Sequence, residues 1–156
     1  MLPKLNIGRY GHSSVIIGYK VYIVCGNGGK DDNDFYLDSI EMLDLTQVGL
    51  GWFFFNHLPG LTPRSLPTVC ALSSSHILVV GGYDDNLLSD AIIVDVEQQT
   101  AQVTTSNTFH QVIQSPGLMF TPKSAVMLAW DARDQSVTKL QPYLFNSSDW
   151  AFSLFD

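Results

Sequence analysis

The sequence predicts an all-β chain assembled from a repeated four-stranded unit. Three observations carry that prediction. Short runs rich in β-branched and aromatic residues are separated by turn residues along the chain. No long window holds a helical period of apolar residues, and glycine and proline interrupt often. Two stretches with the same order of parts, "KVYIVCGNGGKDDND" at 20–34 and "HILVVGGYDDN" at 76–86, lie some fifty residues apart. A repeat of that length suits a supersecondary unit of four strands.

The elements follow in order. In the first copy "SSVIIG", "VYIVCG", "SIEMLDL" and "WFFFNHL" read as four strands. In the second, "TVCAL", "HILVVGG", "DAIIVDV" and "TAQVTTS" take the same places. Arg9 lies 17 residues before Gly26, and Arg64 lies 17 before Gly81. This spacing sets Gly26-Asn27 against Gly81-Gly82. Asn is the residue that best replaces Gly where φ must be positive. Matching "SIEMLDL" to "DAIIVDV" pairs Asp44 with Asp95, and the intervening loop is four residues shorter in the second copy. The third stretch, 107–156, is a degenerate copy without a glycine pair. There "FHQVIQ" and "GLMFT" read as its first two strands. "AVMLAWDARDQSVTKLQ" reads as the hairpin of its third and fourth, and "DWAFSLFD" as an added strand or edge cap.

This order of parts resembles the kelch repeat of β-propellers: Arg, a short strand, a strand ending in a glycine pair, a polar turn, a strand ending in Asp, an aromatic near the fourth strand. The first copy carries Arg9, Tyr22, Gly26, Asn27, Asp44 and Trp52; the second carries Arg64, Gly81, Gly82 and Asp95, with no Trp after Asp95. The resemblance covers residues 9–106. It implies one propeller segment over 1–156, with blades at 9–60 and 64–106, a terminal blade at 107–156, and an incomplete ring of about three blades. Closed propellers typically have four to eight blades. Within that frame the glycines are turn chemistry, and the acids after them sit on the exposed loop between strands two and three.

Composition narrows function. A net charge of −7 argues against nucleic acid and anionic membranes as partners. "VIIGYKVYIVCG" is too short to span a bilayer, and Lys20 interrupts it. The first twenty residues lack the continuous apolar core of a secretory signal, so an intracellular, cytoplasmic location is expected. Cys25 and Cys70 both sit in apolar runs and read as buried free thiols. "NSS" at 146–148 reads as a chance match to a glycosylation acceptor.

Chemistry finds little support. Around Gly29-Lys30 the Walker positions hold Val24 and Asp31, and "GNGGKD" is not followed by a helix, so neither nucleotide fingerprint fits. The acids Asp31, Asp32 and Asp34, and Asp84, Asp85 with Asn86, offer hard oxygens. Phe35 and Leu88 nevertheless fall where a calcium loop needs a ligand. "GHSSV" has Val15 where a nucleophile elbow needs Gly. The histidines and cysteines lack zinc-ligand spacing. Among kelch-type enzymes, copper oxidases would need Tyr and His ligands from several blades, and the acidic and His triad of specifier proteins fails because Leu45 lies four residues after Glu41. Trp52 with the adjacent "FFF" reads as packing between blade faces.

The expectation is therefore a non-enzymatic scaffold with no cofactor and no metal. Its exposed loop residues Asp31, Asp32, Asp34, Asp84, Asp85 and Asn86 would meet another protein chain. Further propeller blades, or a second copy of the chain, would complete the ring. The competing expectation is a kelch-type enzyme, either a copper oxidase or a carbohydrate-active propeller.

Overall fold

The structure is a computed structural model. It describes residues 2–29 and 34–104 with their side chains, and the backbone of 117–121, 124–130, 140–146 and 151–154. The chain is all-β. The first four-stranded antiparallel sheet is formed by β2 (Ser13–Ile17), β3 (Lys20–Val24), β6 (Ile40–Asp44) and β7 (Phe53–Phe55). The second is β8 (Thr68–Ala71), β9 (His76–Tyr83), β10 (Leu87–Asp95) and β11 (Thr100–Val103). The third is β12 (Gly117–Thr121), β13 (Ser124–Trp130), β14 (Leu140–Asn146) and β15 (Ala151–Leu154). A short three-stranded ribbon of β1 (Arg9–Tyr10), β4 (Asn27–Gly28) and β5 (Phe35–Tyr36) extends the first sheet. The one described helix is a 3₁₀ turn at Val48–Leu50. Among the described residues no helix is long and apolar enough to cross a membrane.

Each sheet is a simple meander in which neighbours in sequence are neighbours in space. Strand β8 lies beside both β2 and β12, so the first strands of the three sheets stand together. Among the described residues the three sheets do not close into a ring.

Alternation along the strands selects the core. In the first sheet Val15, Tyr22, Met42 and Phe53 are in register across the four strands, so they share one face. Val24 and Ile40 lie on the same face, and both are fully buried. They join Ile77, Val79, Ile92 and Val94 of the second sheet in one cluster, with Leu58 and Leu61 of the connecting segment. Burying each such aliphatic side chain contributes about 1.5–3 kcal/mol relative to exposure. The second sheet is buried on its other face as well, where Leu78 and Val80 are fully enclosed.

Three expectations change. "GLMFT" is the first strand of the third sheet, not the second, and the hairpin that follows joins strands two and three. "FHQVIQ" lies outside the described residues. The glycine alignment also shifts by one residue. Cys25 and Gly26 have φ 58° and 103°, while Gly81 and Gly82 have φ 58° and 109°. Gly26 is therefore the counterpart of Gly82, and Cys25 stands where the second copy has its first glycine. Asn27 is not at positive φ; it is a β4 residue paired with Tyr10. The physical reason is close approach. A Cβ on Gly26 would lie 2.8 Å from the Tyr10 carbonyl oxygen, and one on Gly82 would lie 2.6 Å from that of Ser65. The glycine is obligatory at the second position, and a small side chain is tolerated at the first.

Candidate functional site

The surface where the second and third strands connect is built on two buried arginines. The Arg9 guanidinium donates to the Cys25 carbonyl (2.9 Å), the Ser39 carbonyl (3.2 Å) and Glu41 Oε1 (2.7 Å). The Arg64 guanidinium donates to the Gly81 carbonyl (2.9 Å) and makes a two-pronged pair with Asp90 at 2.7 and 2.9 Å. Both arginine side chains are closed to solvent. Each arginine thus ties the carbonyl at the first positive-φ position to a carboxylate from the third strand. That contact holds the chain where it leaves the sheet for the loop. Glu41 and Asp90 escaped the sequence reading. The only signal was a carboxylate inside an otherwise apolar strand, which alternation alone reads as solvent-facing.

On this base a row of side chains crosses from the first sheet to the second. Tyr10, Asn27 and Tyr36 are in register on the short ribbon, so they share one face. Ser65, Tyr83 and Leu87 form the equivalent register in the second copy. Tyr36 joins the two: its ring meets that of Tyr83 edge-on, with centroids 6.1 Å apart, and its hydroxyl donates to Asp85 Oδ1 at 3.0 Å. At the other end the Tyr10 hydroxyl donates to Asp34 Oδ2, and Asn27 Nδ2 donates to the Tyr10 hydroxyl at 3.2 Å. Partial burial, followed by the hydrogen bond and charge of Asp85, raises the Tyr36 hydroxyl above the ordinary tyrosine value. Tyr36 therefore remains a proton donor at neutral pH. Tyr10, Tyr83 and Leu87 are exposed, as is Leu66 beside Gly11.

The acids named from sequence divide between described and undescribed positions. Asp34 and Asp85 sit in the row as hydrogen-bond acceptors for tyrosines. Asp84 and Asn86 close the tight turn around Asp85, whose φ is 77°. Asp31 and Asp32 lie outside the described residues. The tyrosines were not singled out from sequence, because aromatics in strands read as core.

Asp44 and Asp95 act elsewhere, at the opposite ends of their strands. Asp44 Oδ1 accepts from the Thr46 hydroxyl and amide, and Asp95 Oδ1 accepts from the amides of Glu97 and Gln98, both at 2.9 Å. These are side-chain-capped turns leading to the fourth strand. The same hydrogen bonds hold both carboxyls below the usual aspartate value. Trp52 does not fill the core. It is half-buried, and its Nε1 donates to the Pro3 carbonyl at 3.0 Å, fastening the N-terminal segment.

Other chemistry is sparse. Cys25 and Cys70 are buried, and desolvation pushes both thiols up to about 12. Among the described residues no three His, Cys, Asp or Glu side chains are grouped so as to hold a metal ion. An open cleft at the opposite rim, between the first two sheets, is lined by Tyr19, Lys20, Asp44 and Ser73 among others. Asp44 is already committed there to its turn. No protein-family model and no curated protein matches the chain.

Proposed function

We propose that the chain is a non-enzymatic scaffold, three kelch-type blades of a larger β-propeller, and that it holds another protein on its loop face. The observation that carries this is the row Tyr10–Asn27–Tyr36–Tyr83. Its rings are exposed or half-exposed, the Tyr10 and Tyr36 hydroxyls are oriented by Asp34 and Asp85, and the row spans two sheets. Rigid aromatic side chains with a polar tip are the residues that dominate protein interfaces. Loops carried on a stable sheet are the usual place for recognition. The matched arginine–carboxylate seams support the repeat, and the open end-to-end arrangement of the sheets supports a need for further blades. These come from another chain, from a longer polypeptide, or from a second copy.

The test is site-specific crosslinking. Leu87 is replaced by a photo-reactive amino acid, and the protein is irradiated in extract of its own source. The expected result is one discrete adduct that disappears in a Tyr10→Ala/Tyr83→Ala variant whose far-UV spectrum is unchanged. Adducts obtained only from position 74, on the opposite rim, would place the partner elsewhere. Stoichiometric copper or iron in the purified protein would replace the scaffold by an oxidase.

A further inference from the structure

We infer that the partner segment that docks on this face is cationic, an extended stretch carrying arginine side chains. The inference rests on the scaffold reading above and adds the chemistry of the occupant. Four lysines and arginines lie among the residues described with their side chains, and none is free on this face. Arg9 and Arg64 are buried on Glu41 and Asp90. Lys20 begins β3 at the far end of the sheet, and Lys4 lies in the N-terminal segment. Among the described residues the face itself presents Asp34, Asp84 and Asp85. The charge is therefore one-sided and lies beside exposed rings.

That pairing is what a guanidinium recognises. Its plane stacks on a tyrosine ring, and its fork donates to a carboxylate. A carboxylate accepts about four hydrogen bonds. One tyrosine hydroxyl on Asp34 and one on Asp85 therefore leave both able to receive a further donor. Both carboxylates lie on exposed positions of the row. The charged functions of the row, Asp34 and Asp85, are acceptors only, so a donor-rich cationic side chain completes them. A lysine would supply charge without the planar stack, and an acidic segment would meet repulsion.

The experiment uses fluorescein-labelled dodecapeptides of alternating Arg-Ser, Lys-Ser and Glu-Ser, with anisotropy read against the intact chain at low and at physiological salt. The Arg-Ser peptide is expected to bind at least fivefold more tightly than Lys-Ser, and Glu-Ser not at all. Asp85→Asn and Tyr83→Ala should each weaken Arg-Ser at least fivefold. Glu97→Gln removes the same charge from a turn on the other rim and should leave binding unchanged. Equal weakening by Glu97→Gln would reduce the effect to net charge and overturn the inference. So would equal binding of Arg-Ser and Lys-Ser, or self-association of the chain that is lost in Tyr83→Ala. If the crosslinked partner at position 87 persists while Arg-Ser fails to bind, only the cationic occupant is wrong. If the crosslink itself is absent, the docking face is wrong.

Discussion

In the second unit Arg64 meets Asp90, which is 27% exposed. In the first, Arg9 meets Ser39 at the position matching Asp90, and its carboxylate partner has moved two residues along the strand to the fully buried Glu41. The position matching Glu41 in the second unit is Ile92, which is also fully buried. The segments that enter the two units explain the exchange. Leu58 and Leu61, before the second unit, pack into the cluster shared by both sheets. Their counterparts are Pro3, which is half-buried, and Asn6, which is exposed. Glu41 holds that segment instead, accepting from the Asn6 amide (2.6 Å), Asn6 Nδ2 (2.9 Å) and the Ile7 amide (3.1 Å). In the second unit apolar burial fixes the entering segment; in the first a buried carboxylate does the same work through hydrogen bonds.

That contrast breaks first at Glu41. Glu41→Ala strands Arg9 without its counter-charge and frees the Asn6 and Ile7 donors, so it should cost about 3–5 kcal/mol, the range for breaking a buried pair. Asp90→Ala leaves a site that water can reach and should cost about 1–3 kcal/mol. Urea midpoints measure both, and equal losses would erase the distinction between the seams.

The glycine pairing is tested next. Gly82→Val should destabilise by about 1–3 kcal/mol through backbone strain, with the Ser65 carbonyl clash adding to it. Gly81→Cys reproduces what the first unit already has at Cys25 and should cost no more than about 1–2 kcal/mol. Gly82→Cys should be the worse of the two cysteine variants by thermal melt. If Gly81→Cys is worse, the counterpart of Gly81 is not Cys25.

Smaller effects sit on the turns. Asp84 is half-buried and its carboxylate accepts from the Asn86 amide, so Asp84→Ala should cost about 0.5–1.5 kcal/mol, the net worth of one hydrogen bond. Millimolar calcium should not raise the melting temperature; a calcium-specific rise absent with magnesium would restore a metal reading to these loops. Asp44 and Asp95 both have depressed folded-state values. Their contribution is present above the unfolded value near 3.8 and is lost as pH falls through the lower folded one. Carboxyl chemical shifts should show both titrating below 3.8, and a midpoint at or above that value would mean the turn hydrogen bonds do not form.

The strands of the first two units were legible because alternation and turn residues are local signals. Asp44 and Asp95 were legible because each caps its own turn, and Gly26 and Gly82 because glycine is visible by itself, although the Tyr10 and Ser65 carbonyls that require them lie on earlier segments. The acid partners were not. Whether Glu41 faces water or Arg9 depends on a segment more than thirty residues earlier, which periodicity does not encode. The alignment slipped at Cys25 because left-handed backbone there is imposed by the fold and not announced by a glycine. The tyrosine row was hidden for the same reason: Tyr36 and Tyr83 belong to different copies of the repeat and meet only after the sheets have packed.

Arg64 carries one more implication. Its side chain serves the second unit, but its amide donates to Leu37 and its carbonyl accepts from Gly26, both in the first. The unit of sequence repetition is thus not the unit of cooperative opening. Exchange of the Gly26 amide with deuterium requires release of the entry to the second sheet, so its protection factor should follow the stability of that sheet and not of its own. A polypeptide ending at residue 60 would keep all four strands of the first sheet and still lose the latch that holds its glycine turn closed.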